Sequence, residues 1–130
     1  MSAREALVAA VVARLEAGLA GAAVFDAPPV RAAHPYAVVE EPVLADWSTK
    51  SWRGHEARIA VALRDEGERP VRLRALLAQA EEAVAGLPRA LSDGWRTASV
   101  TPLRSRVART GGRGWLGQAE FAVRVWRDEA

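Results

Sequence analysis

The apolar positions near the start of the chain fall on one side of a helix. Leu7, Val8, Val11, Val12, Leu15 and Leu19 recur at helical spacing. Ser2 followed by Glu5 is a capping-box pattern, in which the serine side chain bonds an early N–H and the glutamate reaches back to the serine N–H. Gly18 and Gly21 mark the exit, so the spacing predicts a helix from Ala3 to about Leu19. A second stripe joins Leu73, Leu76, Leu77, Ala80, Val84 and Leu87. Pro70 suits its first turn, and Gly86-Leu87-Pro88 stops it. Surface neighbours such as Arg74 and Ala78 add nothing electrostatic, so this helix depends on packing.

Elsewhere the period changes to two. Ala22 to Asp26 is a short extended piece. Pro28 and Pro29 can sit neither in a helix nor in a paired central strand, and they push their predecessors towards extended geometry. The stretch from Val24 to His34 therefore reads as a rigid connector between the first helix and the first long strand. That strand runs from Tyr36 to Asp46, with Pro42 forcing a bulge, a break or an edge position. Trp47 to His55 is a polar loop carrying two tryptophans. Glu56 to Arg64 alternates cleanly, with Ala57, Ile59, Val61 and Leu63 on one side and Arg58, Ala60, Ala62 and Arg64 on the other. Asp65 to Pro70 is a solvated turn. Arg96 to Arg106 is extended, and its Pro102 again argues for an edge or a bulge. Ala119, Phe121, Val123 and Val125 line one face of the last strand; Glu120, Arg124, Arg127 and Trp126 line the other. Thr110-Gly111-Gly112-Arg113-Gly114 joins the last two strands as a hairpin with a mobile, Arg-bearing tip. The expectation is one α+β domain over 1–130, two helices packed on a mostly antiparallel sheet of about four main strands, in the order α-β-β-β-α-β-β.

Composition narrows the function. With 130 residues the chain is long enough for one core, and since many of its apolar residues are alanine that core is built from small pieces. Acidic and basic counts of 16 and 18 nearly cancel, which argues against the concentrated positive charge of a nucleic-acid binder. Only Lys50 among the basic residues is lysine, a bias that fits a GC-rich genome. The absence of cysteine excludes disulfides, thiolate nucleophiles and Cys-ligated metals. Arg14 and Glu16 interrupt the Ala-rich start, so neither a membrane span nor a signal peptide is expected.

Candidate chemistry is sparse. His34 and His55 lie in different segments without ligand-spaced carboxylates, whereas zinc needs three or four ligands in a defined geometry. Asp26, His34 and Ser48 or Ser51 would make a hydrolytic set only by geometry, since no G-x-S-x-G elbow is present. The glycines of 110–114 lead into a strand, not into the helix N-terminus of a phosphate cradle. No cofactor or metal is expected. Trp47, Trp52, Trp95, Trp115 and Trp126 all fall at loops, strand ends or the polar face of a strand. They either serve an interface or cap the ends of a thin core, with Trp47 and Trp52 the best interface candidates. Arg104, Arg106, Arg109 and Arg113 read as a basic cluster along the final hairpin, either simply solvated or turned towards acidic neighbours or DNA phosphates.

The ordered set of segments resembles the small phage tail-terminator or tail-completion proteins, including the version in gene transfer agents. The matching pieces are the first helix with Leu7, Leu15 and Leu19, then Val24-Phe25-Asp26-Ala27-Pro28-Pro29 and His34-Pro35-Tyr36-Ala37-Val38-Val39. Glu56 to Leu63, the helix around Leu73 to Val84, Arg104-Ser105-Arg106 and Gln118 to Val125 continue it. Glu40-Glu41-Pro42 departs from the family's usual glycine, and Asp46 is displaced from its usual acidic residue. The resemblance implies a structural role without an enzymatic step. Six copies would form a ring on the finished tail tube, stop its polymerisation and offer a docking face to the head connector. The implied partners are further copies of itself, the major tail tube protein, the head connector or stopper protein, and DNA passing through the lumen without sequence reading. The implied location is the tail or neck of a virion or gene-transfer particle assembled in the bacterial cytoplasm. Expected contact residues are Trp47, Lys50, Trp52, Arg53, Arg104, Arg106, Arg109, Arg113 and Trp115. The competing readings are a head-closure or neck protein, a small ligand-binding or hydrolytic domain, and a DNA-binding accessory protein.

Overall fold

The computed structural model describes residues 1–128. The first helix, α1, spans Ala3–Gly18 and carries the expected capping box: Ser2 Oγ accepts from the Glu5 N–H at 3.1 Å and the Glu5 carboxylate accepts from the Ser2 N–H at 3.0 Å. That arrangement holds the Glu5 carboxyl below its usual range, chiefly through the bond from the Ser2 backbone. Four strands follow: β1 (Ala23–Phe25), β2 (Tyr36–Val39), β3 (Val43–Asp46) and β4 (Trp52–Glu66). Helix α2 (Val71–Ala85) and a short 3₁₀ turn at Ser92–Gly94 lead to β5 (Arg96–Gly111) and β6 (Gly114–Asp128).

The sheet therefore has six strands, not about four, and the order gains a strand before α2. One break accounts for the added strand. Pro42 has no N–H to give a ladder, so the run from Tyr36 to Asp46 breaks after Val39 and resumes at Val43. The two pieces lie end to end against β4, Val39 facing Val61 and Val43 facing Arg58. Separately, β4 is longer than expected and begins at Trp52, so the end of the expected polar loop, Trp52 to His55, is strand. The spatial order is β1-β2-β4-β6-β5, with β3 sharing the β2 lane. All pairings are antiparallel except β1 with β2.

Both helices cover one face of the sheet. Ala57, Ile59, Val61 and Leu63 of β4 and Ala119, Phe121, Val123 and Val125 of β6 point into that layer and are buried. Leu7, Val11, Leu15 and Leu19 meet them from α1, and Leu73, Leu76, Leu77, Ala80 and Val84 from α2. Alanines 3, 6, 80 and 83 are also buried, which lets the helices approach closely; a Cβ at Gly18 would lie 3.3 Å from that of Ala83. Alanine recurs throughout the buried core, which is built from small pieces as the composition foretold.

Pro102 lies on the edge strand β5, and the pairing register shifts between Pro102 and Arg104. The hairpin turn is short, Gly112 and Arg113 only, and Gly111 and Gly112 have φ of 120° and 52°, values that favour glycine. One facing needs correction. Arg127 has the parity of Val125 and lies on the helix side, its guanidinium 4.4 Å from the Trp95 ring centre, not beside Glu120 and Arg124.

Candidate functional site

The face of the sheet opposite the helices is uncovered, and most residues that the sequence singled out lie at its two ends. At the end where β4 starts and β6 finishes, three tryptophans gather. The rings of Trp47 and Trp52 are 4.8 Å apart, and those of Trp52 and Trp126 are 6.2 Å apart in an edge-to-face arrangement. Arg124 lies over Trp47 at 5.0 Å and Arg96 over Trp126 at 5.4 Å, while Arg124 also pairs with Glu56 at 3.0 Å. All three rings remain half-exposed. Lys50 and Arg53 are exposed beside them.

The β3–β4 connection that carries these groups is closed by its own polar atoms. The Trp47 N–H donates to the Gly54 carbonyl at 2.9 Å and the Thr49 N–H to the Trp52 carbonyl at 3.0 Å. Ser48 Oγ donates to Asp46 at 2.6 Å and accepts from the Gly54 N–H at 3.0 Å. Gly54 is required by close approach: a Cβ there would stand 2.5 Å from the Trp52 ring and 2.6 Å from the Trp47 carbonyl oxygen.

The other tryptophans have structural duties. Trp95 is buried, its Nε1 donating to the Met1 carbonyl at 3.1 Å, with His55 5.8 Å from its ring. It caps the core. Trp115 packs on the core's edge, donates from Nε1 to the Gly67 carbonyl at 3.1 Å and lies under Arg109 at 4.6 Å. It ties the hairpin tip to the turn before α2.

The hairpin arginines do not form one cluster, because strand alternation separates them. Arg104 and Arg106 sit on the helix-free face, where Arg104 forks onto Glu120 at 2.8 and 3.2 Å and Arg106 reaches Gln118 at 3.4 Å. The Arg104 contact also holds the Glu120 carboxyl below its usual range. Arg109 is on the opposite face, donating to the Gly112 carbonyl at 2.9 Å. Arg113 is exposed in the turn. A charged hairpin whose arginines are divided between faces and partly neutralised is a poor phosphate tract.

The catalytic alternatives do not assemble. Ser48 is bonded to Asp46 and Gly54, while His34 stacks on Tyr36 at 5.6 Å and faces Glu66 at 3.8 Å. Among the described residues no three His, Asp or Glu side chains are placed to hold a metal, and no helix is long and apolar enough to cross a membrane. Asp65, expected at the start of a solvated turn, is instead in β4. It is buried at the end of β4 and takes two bonds from Arg72 of α2, at 2.9 and 2.6 Å, and one from the Glu66 N–H at 2.8 Å. An acid and an arginine on either side of the Pro70 helix start were the available signal.

A family model described as tail completion protein gp17 matches residues 5–128. A chain in the solved virion of a native gene transfer agent (GTA) particle superposes with a TM-score of 0.82 at 28% identity, covering 97% of this chain and 99% of that one. No curated protein matches in sequence.

Proposed function

The chain belongs to the tail completion protein gp17 family, and from that membership we propose that it ends a phage-type tail tube by capping it as a ring of six copies. It is a structural tail protein, not an enzyme. In this reading it works passively in the tail or neck of a virion or gene-transfer particle. Docking onto the last tube ring hides the surface on which polymerisation would continue, and the opposite axial face receives the head connector. DNA passes through the lumen without being read.

The observation that carries the reading is the match along nearly the whole chain, to a tail completion family in sequence and to a chain of a gene transfer agent virion in fold. The physics agrees with it. A ring needs two different, mutually matching surfaces on each subunit and two axial faces, and no catalytic centre. Trp47 to Arg53 and the hairpin from Arg104 to Trp115 are proposed to supply subunit and axial contacts. The Trp47–Trp52–Trp126 group, half-exposed and flanked by cations, has the composition of an interface centre.

Particles made without this protein provide the test. Tails of uncontrolled length that fail to join heads are expected in negative-stain images. Tails of normal length, joined to heads, would refute the capping role.

A further inference from the structure

We infer that the proline-braced loop after β1 of one copy seats in a groove on the helix-free sheet face of the next copy, an inference that rests on the ring reading above. The loop offers a knob. Val30 is fully exposed, the most exposed large apolar side chain of the described residues. Pro28 and Pro29 fix φ immediately before it, so the loop loses little freedom when it docks.

The groove offers a hole. It is a cavity of about 210 Å³ between the β2–β3 break and the middle of β4, β6 and β5. Val43 and Leu103, two more exposed apolar side chains, stand on its sides, and Ala60 contributes a small side chain on the uncovered face. Its volume far exceeds the roughly 10–15 Å³ that admits one water, so seating an isopropyl group would release several.

Charge fixes the occupant. On the knob, Asp26 and Arg31 flank Val30, both exposed and neither in an ion pair among the described residues. The groove lining presents three acids and one cation: Glu41 pairs with Arg4, Glu120 pairs with Arg104 and is also influenced by Arg58, and Glu40 accepts only from the neutral Gln118 amide at 3.2 Å. Arg31 of the knob thus meets Glu40, which has no cationic partner among the described residues, and Asp26 meets Arg58. The loop is at the β1 edge and the groove is in the middle of a face, two different surfaces, as a head-to-tail contact requires.

Because the chain has no cysteine, the double variant Val30→Cys, Leu103→Cys restricts disulfides within this chain's assembly to the two introduced thiols. After mild oxidation of purified tailed particles, it should give a ladder of covalent multimers of this chain, and neither single variant should. A double variant that is present in the particles yet stays a single chain, reduced or closed on itself, overturns the contact and leaves the tail role standing. Absence of the wild-type chain from purified tailed particles overturns the tail role, and this contact with it. Val30→Asp changes a fully exposed residue and should leave the fold intact, yet lower incorporation into particles at least about tenfold; Val30→Ile should retain it. Wild-type incorporation of Val30→Asp overturns the contact.

Discussion

Replacing Asp65 by Asn removes the charge from the one buried acidic or basic side chain among the described residues while keeping its shape. In the native protein Arg72 forks onto the carboxylate and thereby fastens the end of β4 to the start of α2. Hydrogen bonds to charged groups contribute about 1.5–3 kcal/mol. The Arg72 side chain is 59% exposed, so on losing its partner it rehydrates and is not stranded as a buried charge. Asn also retains an oxygen for the Glu66 N–H. The loss should therefore fall in the lower half of that range, about 1.5–2 kcal/mol, or roughly 5–10 °C in Tm for a domain of this size. The Arg72 guanidinium holds the Asp65 carboxyl below its ordinary value, which in an unfolded chain is about 3.9. A lowered folded value means stability that is complete above the unfolded value and lost as pH falls through the folded one. Urea unfolding of wild type and Asp65→Asn at pH 7 should show the full gap, and the gap should narrow only below about pH 4. A cycle with Arg72→Ala should return most of the gap as coupling. A gap under about 0.5 kcal/mol at pH 7, or one that persists undiminished in acid, would refute the latch.

Gly54→Ala should cost about 1–3 kcal/mol, because the added Cβ collides with the Trp47 backbone as well as the Trp52 ring; near-UV circular dichroism should change with it. Trp52→Ala should lower stability by only about 1–2 kcal/mol in lost aromatic packing yet abolish joining of tails to heads, scored by electron microscopy. Phe121→Ala, a deletion at the centre of the core, should cost about 3–5 kcal/mol in denaturant unfolding. Arg104→Ala should leave unfolding stability nearly unchanged, since its pair with Glu120 is solvent-exposed; a clear loss in the same assay would mean that the hairpin depends on that ion pair.

Much of the fold was legible because its signals are local. The capping box of Ser2 and Glu5, the stripes of α1 and α2 and the parity of β4 and β6 all depend on neighbours in sequence. The split of β2 from β3 was half-legible. Pro42 announced an interruption, but only the partner strand decides whether a proline bends a strand or divides it. The contact surface was less readable. Trp47 and Trp52 were identifiable as unusual, yet Trp126 joins them only through the β4–β6 register, in which it faces Gly54. The arginines show the converse: adjacent in sequence, they are parted by a two-residue period that sends Arg106 and Arg109 to opposite faces. Asp65 and Arg72 met across a turn whose geometry no spacing rule specifies.

The pairing of β4 with β6 also sets a clock on synthesis. Trp52 at the head of β4 finds its partner only when Asp128 has been made, and Glu66 waits for Gly114. The long central ladder is therefore closed by a strand translated after the other five described ones, and until then β4 has only β2 and β3 on one flank. A nascent chain with such non-local pairing closes slowly and keeps its core open to solvent on the ribosome. Chains truncated before β6 should accordingly lack the partner of β4 and fail to present a finished surface to any neighbour.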